Sequence, residues 1–566
     1  MNPPTPALVT QREVARLPRL ALWLFCAAYL LPGLIGRDPW KNADISAFGA
    51  MLGIAEGRSA WWAPTIGGLP AEPGLLPYWL GAVSIKLLGP WLGAPLAARL
   101  PFALLLGGVL LLTWHSTYHL ARTEAAQPLP LAFGGEASGV DYARAVADGA
   151  LLGLIATLGL LQFGHETTPE LAQLAGAALF LYGLAAIPYR GALPRLALTA
   201  ALPALAASGA PSIAFGLGAV GVALLIKSRY AAARASVPWI ALSTALAGTI
   251  ATASGAWAWR VAEDIPPAQL ASIARLLVWF GWPAWPLAVW TLARWRRQLL
   301  NRHIAVPLWC VGVPLAACLA MGGSDRALML ALPALAVLAA FALPTLQRAT
   351  SSAIDWFSVF FFSACALVVW GVYLSVQTGV PAQPAANVQR LAPGFSPSFS
   401  LLALGCAIAG SAAWLGLVRW RTGRHRHPLW KSLVLPASGV TLCWLLLMTL
   451  GLPLLDYARS WRPLVARIAR HVPQGACIAA PGLSRGQLAA LEYFGGWQVD
   501  GRPDAGEAGS ASAACAYRLA PESRTRPRPA LPGWTWIASE RQPADRDEST
   551  AVYRRAAGTR RLESSS

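Results

Sequence analysis

The chain has 566 residues, 56% hydrophobic and only 13% charged, with a mean hydropathy of +0.48 and a formal charge of +19. Soluble domains carry roughly 25% charged residues, so this composition excludes an ordinary soluble protein. The basic residues sit in short loops between apolar runs. That is the positive-inside pattern of a membrane protein and argues against nucleic-acid binding.

Apolar runs of roughly 17–24 residues recur from Leu17 to Leu455, which predicts an α-helical polytopic membrane protein. Arg12, Arg16 and Arg19 precede the first run and no small-residue cleavage site follows it. We therefore expect an uncleaved first helix over Leu17–Ile35, with its arginines cytoplasmic. The next stretch, Gly36–Trp79, is then periplasmic. It holds the acids Asp38, Asp44, Glu56 and Glu72, the cations Arg37, Lys41 and Arg58, and the aromatics Trp40, Phe48, Trp61, Trp62, Tyr78 and Trp79. Polar chemistry concentrated in one loop of a membrane protein is the first place to seek function. Leu75–Leu88, flanked by Pro73, Pro77 and Pro90, is read as an interfacial helix lying flat within a first periplasmic loop spanning 36–96, because a crossing there would invert every later basic loop.

On that choice helices follow at Arg99–Tyr118, Ala145–Phe163, Leu171–Ile187, Leu196–Ala207, Ile213–Ile226, Pro238–Ala256 and Ile273–Leu292. One more precedes the GGSDR turn, and Ala327–Leu346, Trp356–Val376, Phe399–Val418 and Leu433–Leu455 complete about thirteen crossings. The basic clusters, RWRTGRHRH among them, all fall on the cytoplasmic side, which accounts for His425 and His427 without a metal. The expected division is a transmembrane domain over 1–455 and a small periplasmic α/β domain over 456–566 with a disordered end. In that tail the pattern predicts helices at Trp461–Val472 and Gln487–Phe494. Strands are predicted at Ala476–Ala480, Ala514–Leu519, Trp534–Ala538 and Ala551–Arg554.

Of eight cysteines, six lie in apolar runs and read as small buried hydrophobes. Cys477 and Cys515 lie in the tail and are able to form a disulfide outside the cytoplasm.

Asp44 stands at the start of a short helix, Ile45–Glu56. It reads either as a general base whose pKa is raised by partial burial, or as a solvated helix cap. Glu72 is a second candidate acid, with a plain solvated loop acid as the alternative. His165, Glu166 and Glu170 form another outer cluster, suggestive of a metal but equally explained by acids in a first helical turn. Lys41, Arg58, Arg260 and Arg326 lie on the same side and suit either a lipid phosphate or interface snorkelling. No cofactor or metal is indicated, and a divalent ion is left open.

Four segments carry a resemblance: PWKNADISAFG (Pro39–Gly49), EGRSAWWAP (Glu56–Pro64), AEPGLLPYW (Ala71–Trp79) and AARLP (Ala97–Pro101). In that order they are similar to the outer-loop motifs of GT-C membrane glycosyltransferases of the protein O-mannosyltransferase and lipid A aminoarabinose transferase superfamily. SDRALMLALPALAVLAA (Ser324–Ala340) and LLLMTLGLPLLDYARSWRP (Leu445–Pro463) resemble later family segments. The resemblance implies a GT-C fold and an inverting transfer of a sugar from a polyprenyl-phosphate (undecaprenyl-phosphate) donor at the periplasmic face of the inner membrane. The acceptor would be a lipid, a glycan or a protein. It places Asp44 at or beside the base position, matches Glu72, Arg99 and Arg326 to family residues, and puts His165, Glu166 and Glu170 where members carry a further acid. Trp40, Trp61, Trp62 and Tyr78 would line the sugar and lipid cavity. Two departures stand out. Pro73 occupies the place of a family lysine, and SGAPS lacks another. They support an alternative, a catalytically silent homologue that binds lipid-linked sugar or scaffolds a partner. A transporter is disfavoured, since the acids lie in outer loops and no internal repeat is evident.

Overall fold

A computed structural model describes residues 5–132, 134–257, 261–262, 266–422, 429–507, 510, 512–523, 531–543 and 548–556. Among these, seven helices are long and apolar enough to cross a membrane: Ala94–Ala121, Pro169–Ala186, Ala231–Ala253, Arg302–Ala320, Arg348–Thr378, Leu401–Arg421 and Lys431–Thr449. An eighth is added if the bent pair Pro267–Phe280 and Ala284–Arg294 forms one span. Shorter apolar helices include Arg19–Leu30, Ala192–Ala207, Pro211–Ile226 and Leu332–Thr345. The chain is a multi-pass membrane protein, and these lengths do not by themselves fix thirteen crossings.

The chain divides into two compact units. The first comprises Met1–Leu34, Phe102–Val368 and Leu402–Thr449; the second comprises Ile35–Pro101, Val369–Leu401 and Leu450–Ser566. Within the first, small residues allow helices to approach closely. A Cβ on Gly183 would lie 2.7 Å from Leu198, so the helices Pro169–Ala186 and Ala192–Ala207 pack through that gap.

Two helices expected to run unbroken are interrupted in this unit, and each break supplies the other. Ala145–Phe163 divides into Gly139–Ile155 and Leu158–Phe163, while Ile273–Leu292 divides at Gly281–Pro283 with a bend of 85°. Proline brings no amide hydrogen, so it cannot continue the ladder. The Leu158 amide donates to the Trp282 carbonyl at 3.0 Å, so a backbone group from each break is satisfied. The expected helix Ala327–Leu346 is likewise made of the pieces Asp325–Met329, Leu332–Ala340 and Leu343–Thr345, with Pro333 and Pro344 entering the later two.

The second unit joins the first outer loop to the tail. Its central helix, Ala43–Ala55, is apolar all round and buried from Asp44 to Ile54 apart from Ser46, as a helix covered on every side must be. Helix Arg485–Gly495 lies against it, with Phe48 and Tyr493 ring centroids 4.8 Å apart and a Cβ on Gly49 only 2.6 Å from Ala489. Helix Leu75–Leu92 buries Pro77, Tyr78, Gly81, Ala82 and Ile85 and exposes Val83, Leu87 and Trp91. The tail carries a five-stranded mixed sheet in the order Gln498–Asp500, Cys477–Ala479, Tyr517–Ser523, Glu548–Arg555, Trp534–Arg541. The first three strands run parallel, and the last two pairings are antiparallel. Gln498–Asp500, three residues long, carries too little alternation to be read from sequence. Cys477 and Cys515 are joined as a disulfide, with Cα atoms 4.9 Å apart.

Candidate functional site

In the second unit the site is built on the turn that feeds helix Ala43–Ala55. Asn42 occupies the N-cap with φ of 76° and ψ of −101°, a positive-φ conformation that residues with a side chain rarely adopt. That turn carries Asp44 into the first helical turn and inward, leaving it 1% exposed. Its Oδ2 accepts a hydrogen bond from the Trp40 amide at 3.1 Å and faces Arg37 Nη2 at 3.5 Å. Arg37 is as buried as its partner and lies 4.7 Å from the Trp40 ring centroid. The solvated-cap reading of Asp44 is therefore excluded. The carboxylate is a buried ion-pair member at a helix N-terminus, where both the guanidinium and the helix dipole favour its ionised form.

Around this pair the same unit gathers more charge. Trp40 Nε1 donates to Asp456 Oδ1 at 2.8 Å, and the Asp38 amide donates to Asp456 Oδ2 at 3.3 Å. Burial pushes the Asp456 carboxyl up to about 6, against the lowering effect of the Trp40 hydrogen bond. Arg462 grips Asp38 in a two-pronged pair at 2.5 and 2.7 Å. Arg459 lies over Trp40 at 5.2 Å, and Lys41 over Trp461 at 5.6 Å. Arg99 is 4% exposed and within electrostatic reach of Arg37, Asp44, Asp456 and Asp38. Trp40, expected in a cavity wall, is thus a hydrogen-bonding strut between loop and tail helix.

Glu72 is exposed, just before helix Leu75–Leu92. Trp79 Nε1 donates to the Trp61 carbonyl at 2.7 Å and packs edge-on against Trp62, which is 75% exposed. Tyr78 is buried, and Lys86 lies 5.4 Å from the Trp61 ring. Arg58 is held by Glu56 at 2.7 Å and Glu492 at 2.8 Å, so two carboxylates already balance its charge.

In the first unit, the turn after Leu158–Phe163 brings three named residues together. Arg326 Nη1 donates to Glu170 at 3.0 Å and its Nη2 to Glu166 at 3.1 Å, with the guanidinium 5.1 Å from the Phe163 ring. Gln162 donates to the other oxygen of buried Glu166 at 2.8 Å. The two ring nitrogens of His165 face the carbonyls of Leu161 and Tyr29 at 2.7 and 2.8 Å, and its ring packs on Trp444. Among the described residues no group of three or more His, Cys, Asp or Glu side chains is arranged to hold a metal ion. Arg260, His425 and His427 lie outside the described residues.

Sequence reasoning left Asp456 out of the site and treated Arg37 as one loop cation among several. Asp456 sits in LLDYARSW, a stretch legible only as the close of the membrane segment, and its Trp40 contact spans 416 positions.

No protein-family model and no curated protein sequence matches the chain. Two solved structures do. The crystal structure of ArnT from Cupriavidus metallidurans bound to undecaprenyl phosphate superposes with a TM-score of 0.56 at 14% identity. The apo structure of the same protein gives 0.54 at 15% identity, and each match covers 94% of this chain and 96% of the other. At such identity the likeness speaks for the fold, and over nearly the whole chain: it is the ArnT-like GT-C fold.

Proposed function

We propose that the protein is an inverting glycosyltransferase of the bacterial inner membrane. It would move a sugar from a polyprenyl-phosphate donor to a lipid, glycan or protein acceptor at the periplasmic face. The observation that carries this reading is the buried Asp44–Arg37 pair at the head of the first-loop helix, in a chain with the fold of ArnT. Undecaprenyl phosphate, bound in one of those ArnT structures, is the carrier we assign to this chain.

Asp44 acts as general base. Its carboxylate takes the proton from an acceptor hydroxyl as that oxygen attacks the anomeric carbon. The bond from that carbon to the phosphate oxygen breaks on the opposite side, the polyprenyl phosphate leaves with the electron pair, and the configuration inverts. A base must be ionised before reaction, which the Arg37 partner favours. Asp456, pushed up to about 6, is poised to exchange a proton near neutrality and would assist, with Glu72 as a supporting acid. We assign the donor phosphate to Lys41 with Arg99 and Arg459, which belong to the same cluster as Asp44, rather than to Arg58 or Arg326, each of which holds two carboxylates.

The silent-homologue reading is favoured by two departures, the Pro73-Gly74-Leu75 run where a family lysine is expected and the SGAPS turn that lacks another. Purified protein in nanodiscs, given undecaprenyl-phosphate-linked sugars and candidate acceptors, separates the two. Asp44→Asn is expected to abolish transfer while undecaprenyl phosphate still binds. Undiminished transfer removes Asp44 as base, and binding without transfer by the unaltered protein on every acceptor tried selects the silent homologue.

A further inference from the structure

The tail sheet has a feature that the transfer reading does not use. Arg518, Trp534 and Arg555 come from three neighbouring strands and meet at one end of the sheet, where Trp534 pairs in register with Arg555. They line a cavity of about 370 Å³, together with Gly506 and Glu507 from the loop after Gln498–Asp500. That volume falls in the range that holds a small ligand.

Arg555 is held in place. Its Nε donates to the Cys515 carbonyl at 3.1 Å, and its Nη2 lies 3.5 Å from the Gly506 carbonyl. Cys515 is tied in turn to Cys477 by the disulfide. The Arg555 guanidinium sits 4.6 Å from the Trp534 ring, and Arg518 lies 5.9 Å from the same ring. Gly506 is at φ of 81°, where a Cβ would stand 3.3 Å from Trp534 and 3.0 Å from Ala479, so glycine keeps the floor open. Arg518 supplies the second, independent sign. Its Nε is buried and has no hydrogen-bond partner among the described residues. A buried guanidinium N–H left so carries a desolvation cost, which marks the Arg518 side chain as held for something other than the fold's own hydrogen bonds. Among the described lining residues, two guanidiniums against the Glu507 carboxylate leave the cavity cationic.

We propose that this cavity binds a phosphate monoester, with Arg555 and Arg518 donating to its oxygens and Trp534 keeping the two cations aligned. Guanidinium forks match phosphate geometry, and two of them meet at this cavity. The phosphate would belong either to a lipid headgroup or to a free sugar phosphate. The proposal stands apart from the transfer chemistry and needs no turnover to be tested.

The test is calorimetric titration of the full chain in detergent. Glucose 1-phosphate and dioctanoyl phosphatidic acid are the probes, with glucose and dioctanoyl phosphatidylcholine as controls. Binding of either probe but of neither control is expected. A response to phosphatidic acid alone identifies a lipid source, and a response to glucose 1-phosphate identifies a soluble one. Arg518→Gln, which removes a 5.9 Å contact with the Trp534 ring but no ion pair among the described residues, is expected to weaken binding about tenfold or more with little change in melting temperature. Glu507→Gln, exposed at the rim, is expected to strengthen it. Binding of neither probe, or binding unaltered by both substitutions, overturns the proposal.

Discussion

Two polar clusters among the described residues differ in how their charges balance. In the outer turn of the first unit one arginine, Arg326, serves two carboxylates, Glu166 and Glu170, and the excess is negative. Around Trp40 in the second unit, Arg37, Arg99, Arg459, Arg462 and Lys41 face Asp38, Asp44 and Asp456, and the excess is positive. An anion is therefore better received at the second cluster, and a base used there is paired with a cation rather than with a rival acid. What looks in sequence like two similar sets of acids separates, once paired, into a brace and a candidate reaction centre.

The pairing is broken most severely by Arg37→Leu, which leaves the Asp44 carboxylate buried without its ion-pair partner. A loss of about 3–5 kcal/mol is expected by thermal or denaturant unfolding in detergent, largely restored in the Arg37→Leu/Asp44→Leu double variant. Unchanged stability would mean the ion pair is not what holds the loop. Asp456 sharpens the contrast through pH. Its carboxyl titrates near 6 when folded and near 3.8 when unfolded, so the folded state binds more protons between those values. Stability is then fully present below about pH 4 and declines by about 3 kcal/mol as pH rises through 6, a slope that Asp456→Asn should remove. A flat profile in the unaltered protein would refute the assignment. Arg326→Leu should cost less, about 2 kcal/mol, because the arginine is a quarter exposed. Arg58→Ala, at a pair that is nearly half exposed, should cost less than about 1 kcal/mol.

Much of the fold was legible because a membrane imposes long apolar runs and a charge bias, and the loop motifs pointed to the GT-C arrangement. Asp44 was legible too, as an acid beside an apolar helix. Its partner was not singled out, because Arg37 differs from Lys41 or Arg58 only in where the turn at Asn42 sends the chain. Asp456 was hidden by distance, and so was the Glu492 that occupies Arg58, 434 positions away. The broken helices escaped for a related reason. The Leu158 amide leaves its own ladder for the Trp282 carbonyl, and no local propensity encodes that acceptor. Composition likewise marks the first loop and the tail as separate stretches, although the helices Ala43–Ala55 and Arg485–Gly495 share one core.

The most direct measurement is a side-by-side transfer assay of Asp44→Asn and Glu170→Gln under single-turnover conditions. We expect Asp44→Asn to lower the rate about 100-fold or more while Glu170→Gln keeps at least about a third of it. A large loss at Glu170 with Asp44 nearly indifferent would contradict the placement of the chemistry at the Trp40 cluster.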